Sequence, residues 1–187
     1  MNNLTTYISS KFNFSDAETQ SIVHCFTPNT IIKKDYFLKE GQYCKSIAFV
    51  EKGSFIYFQN IDGEEKICDF AFENDWISQY KSLLGNLPSD ITIQSMENSE
   101  IWLMDMEKME TLSNEMPKVN LIRSTMAEQY FTKSTQRATN LTTLDAKSRY
   151  IALLEEIPFI HQRVPQYHIA SYLGIKPQSL SRIRSEK

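Results

Sequence analysis

Five polar side chains near the end of the chain have the chemistry needed to bind a nucleic acid. Lys176, Arg182 and Arg184 carry positive charges that attract phosphate, and Gln178 and Ser181 can form hydrogen bonds with base edges. In a helix, Gln178, Ser181 and Arg182 would be three or four residues apart and would share one face. The spacing therefore predicts a polar and basic helix face that is suited to reading DNA.

The segment that carries these residues has the pattern of two short helices joined by a tight turn. Residues 166–173 form the first predicted helix, and Gly174 is suited to end it, because glycine adopts a left-handed conformation without a side-chain penalty. Pro177 favours the first turn of the next helix. The apolar positions that would pack the two helices together are Ile169, Ala170, Leu173, Leu180 and Ile183.

This pattern predicts a helix-turn-helix whose second helix enters the major groove of DNA. Two alternatives are an ordinary helical hairpin that closes a core, and a helix-turn-helix that has become a protein-contact element.

Charge is distributed unevenly along the 187 residues, whose net charge is −3. Residues 1–116 contain 9 Lys, no Arg and 18 Asp or Glu, a net charge of −9. Residues 117–187 contain 5 Lys, 6 Arg and 5 Asp or Glu, a net charge of +6. Because phosphate attraction acts locally, the basic segment can bind DNA although the whole chain is acidic.

The middle of the chain is predicted to be a β-sandwich or barrel, because β-branched and aromatic runs alternate there with turn residues. Asp62-Gly63 lies between two such runs and is a strong hairpin signal. A short helical segment is expected at 79–84. The predicted strands are 30–34, 36–38, 46–51, 55–59, 66–72, 90–95 and 101–106.

Helices are predicted on both sides of this β region. Near the N-terminus, Ser15 and Glu18 have the spacing of a capping box. Pro117 permits the start of a long helix, whose apolar stripe would pack either on a partner copy or on its own β domain. A further helix is predicted over 144–156, ending before Pro158. The stripe on the long helix comprises Val119, Ile122, Met126, Tyr130 and Lys133.

Several classes of protein do not fit the residue pattern. Cys25, Cys44 and Cys68 are scattered and odd in number, which favours reduced thiols over disulfides, an iron–sulfur cluster or another metal site. Residues 28–116 contain no histidine, which argues against a metal-dependent β-barrel enzyme. We expect no catalytic residues, no metal and no enzyme activity. No run of about 18 apolar residues and no secretory signal pattern is present, so we expect a cytoplasmic protein without membrane contact.

The order of these elements and several local motifs resemble the Crp/Fnr family of bacterial transcription regulators. The motifs are F-V-E-K-G-S-F at 49–55, D-G-E-E-K at 62–66, N-D-W-I at 74–77, and I-A-S-Y-L-G-I followed by L-S-R-I-R within 169–184. The resemblance extends over nearly the whole chain.

The resemblance implies an α+β fold in three parts. These are a cyclic-nucleotide-binding-type β-roll, jelly-roll-like, over 1–116, a long dimerisation helix over 117–143, and a helix-turn-helix over 144–187, which is winged in the family. It also implies a homodimer that binds palindromic double-stranded DNA, with one recognition helix per half-site. RNA polymerase is a further candidate partner.

The expected ligand pocket departs from family members that bind cyclic AMP. Those members hold the ribose and the cyclic phosphate with a Gly-Glu pair and a nearby Arg-Ser or Arg-Thr. Here the pair reads Asn74-Asp75, no arginine precedes Arg123, and Lys81 is the only nearby cation. We therefore expect no conventional binding of cyclic AMP, and the pocket takes either another, unidentified small-molecule effector or nothing. The candidate pocket residues are Asn74, Asp75, Trp76, Lys81 and Ser89.

The predicted reading helix also departs from the family. Its first outward positions, often Arg and Glu in the family, are Pro177 and Gln178. We expect Gln178, Ser181 and Arg182 to read bases, since glutamine pairs well with adenine and arginine with guanine. The expected phosphate contacts are Gln166, Tyr167, Lys176 and Arg184. The sequence around the motif offers little room for a wing hairpin.

Overall fold

Two helices, a β region, a further helix, a long helix and four short helices follow one another in residues 2–185, which the computed structural model describes. The chain divides into two units. The first holds the chain up to Tyr57 together with Phe70–Glu128, and the second holds Phe58–Asp69 and the chain from Gln129 onward. No helix in the described range is long and apolar enough to cross a membrane.

The β region consists of two four-stranded sheets. Its strands are β1 (Thr27–Ile31), β2 (Tyr36–Leu38), β3 (Ser46–Lys52), β4 (Phe55–Ile61), β5 (Glu64–Ala71), β6 (Trp76–Ile77), β7 (Thr92–Ser95) and β8 (Ser99–Asp105). The strand order is β1-β8-β3-β6 in one sheet and β2-β7-β4-β5 in the other. In the first sheet β8 pairs antiparallel with β1 and β3, and β3 pairs antiparallel with β6.

All seven predicted strands are present, although β1 begins three residues before its predicted start. The two-residue strand β6 was not predicted, because two residues are too few to show an alternating pattern. The predicted hairpin turn is confirmed: Asp62 and Gly63 have φ values of 54° and 81°. Two successive left-handed residues form the type I′ turn that matches the twist of a hairpin. The short helix α3 (Tyr80–Gly85) lies at the predicted helical segment.

Helices α1 (Asn3–Lys11) and α2 (Asp16–His24) precede the sheets, and the predicted capping box at the start of α2 is confirmed. The Glu18 N–H donates to Ser15 Oγ at 3.2 Å, and the Ser15 N–H donates to Glu18 Oε2 at 2.6 Å. Together with α4 (Met106–Glu115), both helices cover one face of the first sheet. The buried side chains of this core include Leu4, Ile8, Ile22, Phe26, Ile47, Phe49, Met104, Met109 and Leu112.

The long helix begins after a 3-10 turn at Pro117–Val119 and forms α5 (Asn120–Thr143). Val119, Ile122 and Met126 are buried in the core that α1, α2 and α4 form, so they pack on their own chain. Lys133 forms an ion pair with Asp69. Val119, Ile122 and Met126 therefore follow the alternative, packing within the chain, whereas Tyr130 is 48% exposed. Dimerisation through the long helix stays a prediction.

Four helices complete the second unit: α6 (Ala146–Glu156), α7 (Ile160–Arg163), α8 (Gln166–Tyr172) and α9 (Pro177–Ser185). Helix α6 ends before Pro158, as predicted, and Asp145 caps its start by accepting the Ser148 N–H at 2.7 Å. This hydrogen bond lowers the pKa of Asp145. The α+β architecture predicted from the sequence, with its β-sandwich, long helix and terminal pair of helices, is confirmed.

Candidate functional site

The turn between α8 and α9 is defined by two backbone hydrogen bonds. Gly174 has a φ of 68°, in the left-handed region. Its N–H donates to the Ser171 carbonyl at 3.0 Å, and the Ile175 N–H donates to the Ala170 carbonyl at 3.0 Å. This is a Schellman motif, which ends a helix and sets the direction of the following chain. The predicted role of Gly174 in the turn is thus confirmed.

Helices α8 and α9 bury the apolar faces that the sequence predicts. Ala170 is fully buried, and its small side chain lets the two helices approach closely. Because α9 is buried along one side only, its opposite side faces solvent. The buried side chains are Ile169, Ala170, Leu173, Leu180 and Ile183.

Most of the predicted DNA-binding side chains lie on the solvent side of this pair of helices. Gln178, Ser181 and Arg182 are exposed and share one face of α9. Lys176 is exposed just before α9, and Arg184 is exposed at the flank of the same face. The structure therefore brings together three polar groups able to reach bases and two cations beside them, and their contact with DNA stays a prediction.

The other two predicted residues lie at the start of α8. Tyr167 is 59% exposed, whereas Gln166 is half-buried. The Tyr167 ring lies against the His168 ring, with centroids 4.1 Å apart. Burial lowers the pKa of His168, which favours the neutral ring next to Tyr167.

Arg149 has a role that the sequence reasoning missed. Its Nε donates to the Leu173 carbonyl at 3.1 Å, and its Nη1 donates to the Leu144 carbonyl at 2.7 Å. The guanidinium therefore ties the end of α8 to the chain before α6, where it compensates helix carbonyls that lack a partner. The charge count placed Arg149 among the DNA-attracting cations, and no local sequence signal distinguishes it from them.

The predicted effector region begins with the Asn74-Asp75 pair, which forms a turn in the first unit. Asn74 has a φ of 70°, and its N–H donates to the Val50 carbonyl at 2.9 Å. Asp75 Oδ2 accepts the Phe72 N–H at 2.8 Å. The carboxylate that occupies the expected ribose-binding position is thus engaged by its own turn.

Trp76 belongs to an aromatic cluster in the core of the first unit. Its ring centroid lies 5.0 Å from that of Phe49, 5.8 Å from Tyr7 and 5.9 Å from Phe26. Among the described residues, no hydrogen bond or ring contact joins Trp76 to Lys81 or Ser89. The grouping of Trp76 with the other predicted pocket residues in one site therefore stays a prediction.

Residues 79–91, which include the predicted pocket residues Lys81 and Ser89, bond to one another through their side chains. Lys81 Nζ lies 2.5 Å from Asp90 Oδ2, and Gln79 Nε2 donates to Asp90 Oδ1 at 2.9 Å. The hydrogen bond from Lys81 lowers the pKa of Asp90. Ser89 Oγ donates to the Ile91 carbonyl at 2.7 Å, and Gln79 Oε1 accepts the Ser82 N–H at 2.6 Å.

This arrangement leaves the region poorly suited to an anionic ligand. Lys81 is the only Lys or Arg between residues 67 and 107, and an ionised carboxylate already pairs with it. A phosphate would have to compete with Asp90 for this cation while remaining close to the negative charge of Asp90. Within residues 2–185 the side chains also form no group of three His, Cys, Asp or Glu able to hold a metal ion.

Comparison with known proteins identifies the fold. Residues 28–115 match the family model of the cyclic nucleotide-binding domain. FixK2 from Bradyrhizobium japonicum is 16% identical, with a TM-score of 0.75 over 86% of this chain and 83% of that chain. A protein from Eubacterium rectale described as a crp/fnr-family transcriptional regulator is 15% identical, with a TM-score of 0.71 over 97% of this chain and 87% of that one. The chain has the Crp/Fnr fold.

A third structure with this fold is the c-di-GMP-responsive global regulator CLP from Xanthomonas campestris. It is 13% identical, with a TM-score of 0.72 over 92% of this chain and 91% of that chain. No curated protein sequence matches the chain significantly. The resemblance to Crp/Fnr regulators drawn from the sequence is thus confirmed at the level of the fold and of the β domain.

Proposed function

We propose that this Crp/Fnr-fold protein is a DNA-binding transcription regulator that acts as a homodimer. The observation that carries the proposal is the exposed face of α9, where Gln178, Ser181 and Arg182 stand side by side. The Schellman turn at Gly174 and the buried face of α9 hold that surface in one orientation. In this role the protein catalyses no reaction. It acts in the bacterial cytoplasm, where the DNA is.

Electrostatics support DNA as the partner. Lys176, Arg182 and Arg184 are all exposed at one end of a segment with a net charge of +6. Cations in this position neutralise phosphates and release counterions, so the affinity should fall steeply as the salt concentration rises. Base selection would come from Gln178 and Arg182, whose side chains favour adenine and guanine respectively.

The homodimer is supported by a face of α5 that the chain leaves uncovered. Positions 121, 124, 128, 131, 135, 138 and 142 alternate three and four residues apart, which is the spacing of the a and d positions of a coiled coil. All seven are exposed, and they are Leu121, Ser124, Glu128, Phe131, Thr135, Ala138 and Thr142.

We call this set the α5 seam. It lies opposite the stripe that includes Ile122 and Met126, which packs inside the chain. Phe131, at the centre of the seam, is 70% exposed. A large apolar side chain this exposed, on a face with heptad spacing, suits pairing with a second copy.

The same proposal gives the β domain an effector other than a conventional cyclic nucleotide, or none. The ion pair between Lys81 and Asp90 is the basis, because Lys81 is the only Lys or Arg between residues 67 and 107 and already has a carboxylate partner. A neutral or cationic molecule would not compete with Asp90 for Lys81 and would not be repelled by the Asp90 carboxylate. Such a ligand would act by shifting the population of DNA-competent dimers.

The test is a selection of bound fragments from a random-duplex library at about 150 mM salt. The wild type is compared with Arg182→Ala and with Arg123→Ala, a matched control on α5 whose guanidinium donates to Asn120 Oδ1 within its own helix turn at 3.5 Å. We expect an inverted repeat for the wild type and the control. Arg182→Ala should lose preference at one position per half-site, by about 1–3 kcal/mol.

The absence of enrichment, both with and without a cell metabolite extract, would refute DNA binding. It would favour a protein-contact role for the helix-turn-helix. An enriched motif that Arg182→Ala leaves unchanged would refute the assignment of the reading face.

A further inference from the structure

Side chains from two helices form hydrogen bonds with the backbone at the outer edge of strand β5, within the second unit. β5 is the last strand of its sheet, so its outward N–H and C=O groups have no neighbouring strand. In a strand, the N–H and C=O of one residue point to the same edge, and so do those of the residue two positions away. Glu65 and Ile67 are related in this way, and both direct backbone groups outward.

Ser171, on α8, occupies this edge. Its Oγ accepts the Ile67 N–H at 3.1 Å and donates to the Glu65 carbonyl at 3.1 Å. One hydroxyl thus replaces two of the hydrogen bonds that another strand would have made.

Arg137, on α5, completes the contact. Its Nη2 donates to the Ile67 carbonyl at 3.0 Å and to the Tyr172 carbonyl at 3.4 Å. The guanidinium also lies over the Tyr172 ring, 4.6 Å from its centroid. One side chain therefore joins β5, the end of α8 and the long helix. Nearby, Lys133 Nζ pairs with Asp69 Oδ1 at 2.8 Å.

These bonds lie directly before the turn that starts the reading helix. The Ser171 carbonyl accepts the Gly174 N–H in the Schellman motif, while the Ser171 hydroxyl holds β5. Fixing Ser171 and Tyr172 therefore fixes the base of the turn. Gln178 and Arg182 are exposed while the contact is made, so it is compatible with DNA binding.

We infer that Ser171 and Arg137 are positioning residues for DNA binding, which seat α8 on the edge of β5 and thereby set the orientation of the reading helix. The inference rests on the proposed function. A dimer must place two reading helices at the separation of two half-sites. An α8 that is not seated would present α9 in several orientations, and only a fraction of the molecules would then be competent to bind.

The test measures binding to the selected inverted repeat by fluorescence anisotropy, using the full chain. Ser171→Ala should weaken binding about fivefold to tenfold, as expected when two ordinary hydrogen bonds no longer favour the competent orientation. Ser171→Thr keeps the hydroxyl and should restore affinity. Ser10→Ala, an exposed serine on α1, is the matched control and should bind as the wild type does.

Two further readouts separate positioning from direct DNA contact and from loss of fold. The slope of log affinity against log salt should not change in Ser171→Ala, since no phosphate contact is removed. Tolerance for altered half-site spacing should increase. If Ser171→Ala does not fold, Arg137→Met, which removes the donors while keeping an apolar stem, should show the same pair of effects.

A DNA-free measurement completes the design. The Ile67 amide should be protected from hydrogen exchange in the wild type and exchange faster in Ser171→Ala. An unprotected Ile67 amide in the wild type, or wild-type DNA affinity in Ser171→Ala, overturns the inference while the proposed function stands. Failure of the wild type to bind any duplex instead removes the proposed function, and the inference falls with it.

Discussion

Replacing Phe131 with alanine should weaken the proposed homodimer strongly. Phe131 lies at the centre of the α5 seam and is 70% exposed in the single chain. In a parallel pair of α5 helices, both copies of the ring would be removed from water. The substitution removes this apolar burial while alanine keeps the helix propensity high.

The magnitude follows from the exposed area. A phenylalanine presents about 200 Å², so each chain leaves about 140 Å² of Phe131 open to solvent. If a seam covers about half of that area on each chain, roughly 140 Å² is buried per dimer, which at about 25 cal/mol per Å² gives about 3.5 kcal/mol. The dimer Kd should therefore rise by between about two and three orders of magnitude.

Sedimentation velocity over a concentration series measures this Kd directly. Tyr130→Ala is the matched control, because Tyr130 is the adjacent aromatic residue, is 48% exposed and lies about 100° around α5 from Phe131, outside the seam. It should leave the Kd within about twofold of the wild type. Unchanged dimerisation in Phe131→Ala, or equal weakening by both substitutions, would refute the seam.

Four further predictions follow from single residues. Glu128→Leu should tighten the dimer about tenfold, because two copies of Glu128 would otherwise face each other across the seam; weaker association in sedimentation would contradict this. Gly174→Ala should lower the free energy of unfolding, measured by urea denaturation, by about 1–2 kcal/mol. The cost comes from the φ of 68°, because an added Cβ would make only an ordinary contact with Leu141 Cδ2, at 3.7 Å. Gly53→Ala should lower the free energy of unfolding further, because φ is 110° and the new Cβ would also lie 2.1 Å from Ser99 Oγ. Equal losses for the two substitutions would contradict a contribution from this steric clash. His168 binds protons less readily folded than unfolded, so the free energy of unfolding should fall as the pH drops from 6.5 to the lowered pKa, and then level off; denaturation of His168→Gln across this window should lack that component.

Local patterns predicted most of the elements correctly. Ser15 with Glu18, Asp62 with Gly63, and Gly174 each act through hydrogen bonds or dihedral angles within a few residues, so their effects can be recognised in the sequence. The seven predicted strands are present for the same reason, since alternation and turn residues are local. The two-residue strand β6 has no comparable local signal.

Partners that come from distant parts of the chain could not be predicted in this way. The apolar spacing of α5 indicates a stripe that includes Ile122 and Met126, and the burial of this stripe depends on α1, α2 and α4 covering it. Whether the stripe packs inside the chain or faces a second copy is therefore a property of the packed chain. The same holds for Trp76, whose aromatic neighbours come from α1, from the residues before β1 and from β3.

In the candidate site, too, local features follow from the sequence, whereas contacts between distant residues follow from packing. The order of residues establishes the two helices, the turn at Gly174 and the polar face with Gln178, Ser181 and Arg182, because helical spacing and glycine conformation act over a single turn. Packing alone distinguishes the arginines from one another. Arg137 and Arg149 bind backbone carbonyls inside the second unit, whereas Arg184 is exposed to solvent. The physical reason is that a guanidinium has the same charge and reach in every sequence context, and its role depends on which carbonyls the folded chain brings within about 3 Å of it.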